Sequence, residues 1–418
     1  SEMCIRDRNW KGGQEGIMRI LIINTFYYPN MQGGAEQSVK LLAEGLVKKG
    51  HEVGIYCVDS KNGNCEPEEH NGVKIYRSTT NDFNLYRFSY DKKSVGRFEK
   101  LQQKLLCYWN VKCGKDFEAV CREFKPDVVH SNTIYGMSYL IWKIAYKQKI
   151  PIVHTIRDIA VVSPVQHGHK ANVLIRMIHR IYMRSFTKYV SGVTAPSQYT
   201  LETSLATGCF KHAKVKRCIF NSVDINPSET EAVIEEKRNR ISPHIKFMYA
   251  GRLVYFKGIE HMIQAFERME YKNCELSICG GGEMEEYVKQ CSKKDSDIVF
   301  YGKLDKEALA QKYIESDVLL VPSMWPEPFG RVLIEGNKYG LPVIAGRCGG
   351  MPEIIENTHG GETYEPGNAE MLAGLMDQLA DRRSYKKYFD SILDTIDIYN
   401  IDRQIEKFQS VYKEISGR

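Results

Sequence analysis

Two glutamates, Glu327 and Glu335, stand eight positions apart in a stretch whose residue types suit the binding of a phosphorylated sugar. Glu327 lies in a Pro/Gly loop, whereas Glu335 lies among apolar residues that predict a short buried helix over residues 331–339. The N-terminus of a helix offers free backbone N–H groups to anions. The stretch therefore combines donors for a phosphate with carboxylates for hydroxyl groups, as a nucleotide-sugar requires. An ordinary α/β loop with a surface glutamate and a capped helix is the structural alternative.

A second loop supplies positive charge. Arg252 and Lys257 flank the turn between a predicted strand, residues 245–250, and a helix that begins near Ile259. Fixed positive charge and free N–H groups at such a turn suit a diphosphate. Two basic residues in one loop are common, so their position at the carboxyl edge of a strand is the feature that favours this role.

The first half of the chain carries glycines and histidines at the ends of predicted strands. Gly33 and Gly34 follow the strand of residues 19–24, where they would let a ligand approach the backbone closely. His130 and His154 each end a short strand, and an Arg-Asp pair follows His154. A lone strand-end histidine usually makes structural hydrogen bonds, but two histidines and an Arg-Asp pair at one sheet edge also fit a binding site.

Two series of alternating strands and helices must position these residues. One series begins near residue 19 and the other near residue 245, which predicts two parallel sheets with covered faces. A length of 418 residues also favours two or three domains over one. Residues 1–17 are polar and charged, and we expect a leader foreign to the fold there. A disordered but genuine tail is the alternative.

Composition and missing motifs exclude several functional classes. The net charge of +6 is small and dispersed, which disfavours nucleic acid as a partner. Twelve cysteines without a C-x-x-C pair or zinc spacing favour reduced thiols and a cytoplasmic location. The chain has no run of about 18 apolar residues that would span a membrane. Because no G-x-G-x-x-G follows the first strand of either half, hydride transfer is disfavoured.

The stretch from His169 to Lys188 combines basic and apolar residues at helical spacing. Basic amphipathic helices lie on anionic membranes, so peripheral contact with a membrane is one interpretation. A solvated basic face over a stripe of core residues is the other. The apolar side predicted for this helix comprises Val173, Leu174, Met177, Ile178 and Ile181.

From Met18 to its C-terminus the chain resembles the nucleotide-sugar-dependent glycosyltransferases of family four. The E-x7-E signature of that family matches Glu327 and Glu335, and its Gly-Arg…Lys-Gly turn matches residues 251–252 and 257–258. The order and spacing of the motifs together carry the resemblance. Further matches are Gly280–Gly282, Gly349-Gly350, the run 33–36, the His-Thr-x-Arg-Asp run at 154–158, and Asn221–Asp224.

The resemblance implies an α/β protein of GT-B architecture, with two Rossmann-like, doubly wound parallel-sheet domains facing each other across a cleft. Residues 18–225 would form the acceptor-side domain, and residues 226–395 would form the nucleotide-sugar-binding domain. Residues 396–418 would form a helix that returns to the first domain.

The resemblance also implies roles for individual residues. Glu335 would bond the ribose hydroxyls of the donor, and Glu327 would lie near hydroxyls of the transferred sugar. His154 would contact the sugar beside the reacting carbon. The implied catalytic residues are Glu327, His154, Arg252 and Lys257. The implied donor-binding residues are Gly33, Gly34, Arg252, Lys257, Gly281, Phe329, Gly330, Arg331, Val332 and Glu335.

No metal and no cofactor are expected in this chemistry. Arg252 and Lys257 would neutralise the departing nucleoside diphosphate, which lowers the barrier to transfer. Many glycosyltransferases use a metal held by an Asp-x-Asp string for this purpose, and Asp295-Ser296-Asp297 matches that string. It precedes a predicted strand, at the amino edge of the sheet, so we interpret it as a coincidence.

The expected activity is retaining transfer of a sugar from a nucleotide-diphosphate donor, such as a UDP-sugar, to a glycan or lipid-linked acceptor. The expected setting is polysaccharide or glycolipid biosynthesis in the cytoplasm, with the inner face of the membrane as a further option. A sugar-nucleotide epimerase and a non-catalytic nucleotide-sugar-binding subunit are the alternatives.

Overall fold

The computed structural model of the chain contains two α/β units, each built on a parallel sheet. The predicted leader, residues 1–17, lies outside the described part except for its last two residues. The structure describes residues 16–31, 33–58, 68–78, 96, 98, 105–158, 172–225, 227–239 and 243–417.

The first unit has a sheet of eight strands in the order β3-β4-β2-β1-β5-β6-β7-β8, and only the pairing of β3 with β4 is antiparallel. Its strands are β1 (Arg19–Ile23), β2 (Glu52–Val58), β3 (Glu68–His70), β4 (Val73–Ser78), β5 (Val128–Ser131), β6 (Ile152–Thr155), β7 (Gly192–Ala195) and β8 (Val215–Cys218). Its helices are α1 (Gly34–Lys48), α2 (Val111–Phe124), α3 (Leu140–Lys147), α4 (Val173–Thr187) and α5 (Gln198–Leu205).

The second unit has a parallel sheet of six strands in the order β11-β10-β9-β12-β13-β14. Its strands are β9 (Ile245–Ala250), β10 (Cys274–Cys279), β11 (Ile298–Gly302), β12 (Val318–Val321), β13 (Val343–Gly346) and β14 (Gly361–Tyr364). The helices that follow the first unit are α6 (Pro227–Asn239), α7 (Ile259–Arg268), α8 (Glu285–Lys294), α9 (Lys306–Glu315), α10 (Arg331–Lys338), α11 (Met351–Thr358), α12 (Ala369–Ala380), α13 (Arg382–Thr395) and α14 (Ile401–Ser416).

Apolar runs in the central strands reflect sheets that are covered on both faces. In β1, Leu21 and Ile23 pack into one core, and Ile20 and Ile22 pack into the core on the opposite face. Apart from His154, which lies in β6, the site residues predicted from the sequence lie outside the strands. Ligands of such sheets bind at the carboxyl edge of the strands.

The C-terminal helix α14 packs on the first unit. Ile405, Phe408 and Tyr412 are buried in the core beneath α1, and the Tyr412 hydroxyl lies 2.7 Å from Nδ1 of His130. A Cβ added at Gly45 of α1 would lie 2.5 Å from Cδ1 of Ile405, so a glycine permits this close helix contact. The end of the chain thus ties the second unit back to the first.

Truncation of Phe408 tests how strongly α14 is held. Phe408→Ala should lower the free energy of unfolding by about 3–5 kcal/mol, because a fully buried phenyl ring is lost and a cavity remains. Urea unfolding measures the change. Glu406→Ala, at an exposed position on the same helix, is the matched control and should change stability by less than about 0.5 kcal/mol. Equal effects of the two substitutions would contradict the packing described for α14.

Candidate functional site

Lys257 and Glu327 form an ion pair between two loops of the second unit. Lys257 Nζ lies 2.5 Å from Oε1 of Glu327, and both side chains are largely buried. Lys257 ends a 3-10 turn after β9, and Glu327 lies in the loop after β12. The Met324 amide donates to the Phe256 carbonyl over 2.9 Å, which holds the two loops together. The structure thus brings together a cation and a carboxylate that were both predicted from the sequence as site residues.

Arg252 is exposed on the same turn, where close backbone contacts fix its position. The Tyr249 hydroxyl donates to the Arg252 carbonyl over 2.9 Å. Burial raises the pKa of Tyr249; the Glu327 carboxylate raises it further, and Arg252 opposes this shift. Both charges therefore act on one buried hydroxyl.

The glycine-rich loop after β10 lies directly against the turn that carries Arg252. The Leu253 amide donates to the Gly281 carbonyl over 3.0 Å. Gly280 has φ +149°, and a Cβ there would lie 1.8 Å from the Gly251 carbonyl oxygen, so only glycine fits. A Cβ at Gly281 would meet no atom closer than 3.6 Å, which leaves its surface open.

Helix α10 begins at the junction of the two units. Gly330 caps it with φ +91°, a conformation that favours glycine. Arg331 Nε donates to Oε1 of Glu335 over 2.7 Å, and its Nη1 reaches the first unit, donating to Ser38 Oγ (3.0 Å) and the Ser222 carbonyl (2.9 Å). The ion pair of Arg331 with Glu335 therefore lies between the units.

The remaining residues predicted near the start of α10 are structural in part. Phe329 is buried and packs against Phe220 and Tyr399. Val332 is partly buried against the same core. The side chains of Phe329 and Val332 thus anchor the loop in the core. Only the backbone groups of this segment are left to contact a ligand.

The two glycines after β1 make contacts that differ from the expected phosphate contact. The Gly33 amide donates to Oε2 of the buried Glu36 over 2.9 Å, so that donor already has a carboxylate partner. Burial raises the pKa of Glu36. A Cβ at Gly34 would lie 3.1 Å from Cδ of Arg331. Gly34 therefore makes room for the guanidinium side chain of the other unit.

His154, which the resemblance implies would contact the transferred sugar, is buried in the core of the first unit. The side chain is 2% exposed, its Nδ1 lies 3.0 Å from Ser131 Oγ, and its ring packs between Trp142 and Phe210. The reason is the alternation of β6, which turns His154 into the core beneath α3. Direct contact between His154 and a transferred sugar is therefore not supported by this geometry.

Burial of His154 predicts a dependence of stability on pH. Burial lowers the pKa of His154 to about 3, so the folded protein binds fewer protons than the unfolded chain between pH 6.5 and 3. Its contribution to stability is complete above pH 6.5 and declines as the pH falls towards 3. The melting temperature should therefore drop from pH 7 to pH 5, and less steeply in His154→Gln. Parallel pH profiles of the two proteins would contradict this role of burial.

Arg157, at the end of the same strand, is the residue that reaches the junction. Its Nε donates to Asn132 (2.7 Å) and its Nη1 to Asn221 (2.6 Å), whereas its buried Nη2 has no partner among the described residues. Burial and the nearby Arg331 lower the pKa of Arg157 to about 10. The sequence marked Arg157 only as part of an Arg-Asp pair, because its proximity to Arg331 arises from tertiary structure.

Further contacts between the units surround the loop of Glu327. Ser197 Oγ and Thr200 Oγ1 donate to the Pro328 carbonyl over 2.5 and 2.9 Å. Each oxygen of the Glu353 carboxylate accepts from a backbone amide at the start of α5, at Gln198 and Tyr199, over 2.7 Å. An acidic side chain at a helix N-terminus is favourable. No sequence pattern predicted Glu353, since its partners lie about 155 positions away.

Cys348, in the loop after β13, contacts the loop that carries Glu327. Its Sγ donates to the carbonyls of Ser323 and Trp325, both over 3.2 Å. Burial and the Glu327 carboxylate raise the pKa of Cys348 to about 12, so it stays a neutral donor. The thiol thus fastens the loop after β13 to the loop that carries Glu327.

The Asp-x-Asp string lies away from these residues. Asp295 caps the end of α8 and Asp297 immediately precedes β11, at the amino edge of the sheet. Among the residues that the structure describes, no group of three or more His, Cys, Asp or Glu side chains could hold a metal ion. Within the same residues, no helix combines the length and apolar character needed to cross a bilayer.

Comparisons with known proteins identify the family and the fold of the chain. Residues 232–391 match the family described as "Glycosyl transferases group 1", and residues 32–226 match the family described as "Glycosyltransferase Family 4". An "uncharacterized 42.6 kDa protein in cps region" of Klebsiella pneumoniae is 31% identical over 409 residues, which cover 95% of this chain and 100% of the relative.

Solved structures share the fold along nearly the whole chain. Sucrose-phosphate synthase from Thermosynechococcus elongatus superposes with a TM-score of 0.71 at 19% identity, covering 95% of this chain and 99% of that one. HepE from Anabaena, solved in complex with UDP, gives a TM-score of 0.67 at 17% identity, covering 95% and 100%. The chain therefore belongs to glycosyltransferase family four and is a glycosyltransferase enzyme of GT-B fold.

Proposed function

We propose that the protein is a retaining, metal-independent glycosyltransferase that takes its sugar from a nucleotide-diphosphate donor bound at the junction of the two units. The observation that carries the proposal is the pair of ion pairs at this junction, Lys257 with Glu327 and Arg331 with Glu335. Each pair holds a cation suited to phosphate beside a carboxylate suited to sugar hydroxyls. Such pairs can exchange partners when a ligand with both groups enters.

In this proposal Lys257 and Arg252 receive the diphosphate. As the bond between the anomeric carbon and the diphosphate oxygen breaks, negative charge grows on the leaving group. Cations fixed in a partly buried loop stabilise that charge more than water would. Glu327, released from Lys257, accepts hydrogen bonds from hydroxyls of the transferred sugar. Glu335 accepts hydrogen bonds from the ribose hydroxyls. The backbone of Gly281 and of Gly330–Val332 contributes the remaining donor contacts.

Arg157 takes the place in the proposal that the resemblance assigned to His154. It is the strand-end side chain of the first unit that lies beside Arg331. Its Nη2, which has no partner among the described residues, would donate to an anionic or hydroxyl-bearing group of the substrates. The role of the Gly33 amide is reduced accordingly, because Glu36 already accepts from it.

The donor proposed first is a UDP-sugar, since HepE, which shares the fold, was solved with UDP. The acceptor proposed is a glycan or a lipid-linked glycan, in polysaccharide or glycolipid biosynthesis. The first unit would bind this acceptor, and the second unit would bind the donor. The cytoplasm, including the inner face of the membrane, is the proposed location.

Turnover tests the proposal. The purified protein should release nucleoside diphosphate from a nucleotide-sugar only when an acceptor is present, and NMR of the product should show the α-linkage of the donor. Conversion of the donor without any acceptor would instead indicate an epimerase. Calorimetric binding of the donor without turnover on a broad acceptor panel would indicate a binding subunit.

A further inference from the structure

The first unit exposes an unusual amount of apolar side chain on α4. Six aliphatic or sulfur-containing side chains of this helix are between 53% and 71% exposed: Val173, Leu174, Ile175, Met177, Ile178 and Ile181. The sequence alone left open whether these residues form a stripe of core. The structure excludes that interpretation, because the core side of α4 is formed by other residues. Large exposed apolar patches on globular proteins mark interaction sites.

The core side and the exposed side of α4 differ in the angular positions of their residues around the helix axis. At 100° per residue, His179, Met183 and Phe186 point to the core, and all of the exposed apolar residues except Ile175 occupy the opposite side. The exposed basic residues Arg176 and Arg180 line one border of the apolar side. The helix thus presents a basic edge beside an apolar face to the outside.

A second segment with exposed apolar side chains packs against α4 through Tyr108. Tyr108 lies beside α4, with its hydroxyl 2.9 Å from Nδ1 of His179 and its carbonyl accepting from the Tyr182 hydroxyl. Leu105 and Trp109, on either side of Tyr108, are 62% and 56% exposed. An exposed tryptophan next to an apolar helix is typical of a membrane interface.

The charge of α4 distinguishes between two occupants. The helix carries no acidic residue. In a symmetric dimer formed through α4, the same patch on both copies would meet, and neither helix would offer an acidic side chain to the basic residues of the other. The phosphate headgroups of an anionic bilayer instead complement those basic residues, and the acyl region accepts the apolar face. The composition of the face therefore favours a lipid surface over a second copy.

We propose that α4, with Leu105 and Trp109, is a docking surface that lies in the headgroup region of an anionic lipid bilayer. Helix α4 connects β6 to the parallel strand β7, so its exposed first turns lie at the end of the sheet where β6 ends. Arg157 follows β6 at that same end. Docking would therefore bring the junction of the units close to the bilayer. Delivery of a lipid-linked acceptor this way rests on the proposed function, whereas docking itself does not.

Co-sedimentation of the full chain with vesicles tests the docking surface. Vesicles of phosphatidylcholine with added phosphatidylglycerol should bind the protein, with affinity falling as salt is raised, and pure phosphatidylcholine should bind far less. Arg176→Gln with Arg180→Gln should lower the partition coefficient for anionic vesicles roughly 30-fold. Leu174→Ser with Ile178→Ser should also lower it.

Matched controls in the second unit separate docking from general charge or hydrophobicity. Lys293→Gln with Lys294→Gln, on α8, removes two charges, and Met371→Ser removes an exposed apolar side chain from α12. Both should leave vesicle binding unchanged. Equal binding to neutral and anionic vesicles, or α4 variants that bind like the wild type, would overturn the proposal.

Two further measurements separate lipid docking from self-association and from loss of catalysis. Sedimentation velocity that shows a dimer in the wild type and a monomer in the α4 variants, with vesicle binding intact, would assign the face to a second copy and refute lipid docking. Turnover of a water-soluble acceptor should be the same in wild type and α4 variants. If the α4 variants lose vesicle binding but keep turnover, the result supports docking and does not bear on the proposed function. If turnover is absent while the wild type binds vesicles, the result counts against the proposed function alone.

Discussion

Lys257→Ala is expected to lower kcat/KM for donor turnover by about 10²–10³-fold, the loss that follows removal of one group that stabilises developing negative charge. Lys257 is the cation paired with Glu327, and a backbone hydrogen bond joins the loops that carry both. Most of the loss should appear in kcat, because the charge on the diphosphate grows as its bond to the sugar breaks. Steady-state kinetics with nucleotide-sugar and acceptor provide the measurement.

The control for Lys257 is another lysine with a glutamate partner. Lys289 lies 2.9 Å from Glu285 and from Glu286 on the exposed face of α8, so Lys289→Ala removes an ion pair without touching the junction. It should leave both kinetic constants unchanged. Unfolding curves for Lys257→Ala must also match the wild type closely. Wild-type turnover in a folded Lys257→Ala protein would remove the assigned role of the cation.

Glu335→Ala should act mainly on donor binding. A carboxylate that accepts hydrogen bonds from ribose hydroxyls contributes about 1.5–3 kcal/mol, which corresponds to roughly a 10- to 150-fold increase in the KM for the donor. The substitution also frees Arg331, whose Nε donates to Glu335 over 2.7 Å. Comparing a full nucleotide-sugar with a 2′-deoxyribose analogue isolates the hydroxyl contact.

The 2′-deoxyribose analogue makes this experiment specific for the contact between Glu335 and the ribose hydroxyl. If Glu335 accepts from the ribose, wild type should prefer the natural donor strongly and Glu335→Ala should not. Glu356→Ala, on the neighbouring helix α11, is the control and should keep the preference of the wild type. A variant at Glu335 that still discriminates between the two donors as the wild type does would show that the carboxylate has another task.

The sequence predicted well which residues follow the strand ends, because the βα turn itself places those residues. Strand β9 ends at Ala250 and β12 ends at Val321, so Arg252, Lys257 and Glu327 follow at one sheet edge in any parallel arrangement. Glu335 lies in α10, which was predicted over nearly the same residues. For these residues the strand-to-helix turn determines both the pattern in the sequence and the position in the folded protein.

Contacts made between distant elements could not be predicted in the same way. The direction of the His154 side chain depends on which residue of a four-residue strand faces the core, and Trp142 and Phe210 decide that. The cap that Glu353 forms on α5 also depends on how the two units meet. Periodicity indicated the amphipathic pattern of α4 but not which of its faces would be covered.

A thermal-shift screen of nucleotide-sugars tests the central claim most directly, because a ligand that binds the native state raises the melting temperature by mass action. At least one nucleoside-diphosphate sugar should raise the melting temperature of the wild type. The same compound should raise it far less in Lys257→Ala and in Glu335→Ala. No shift with any nucleotide-sugar, or equal shifts in wild type and both variants, would contradict a donor site at the junction of the two units.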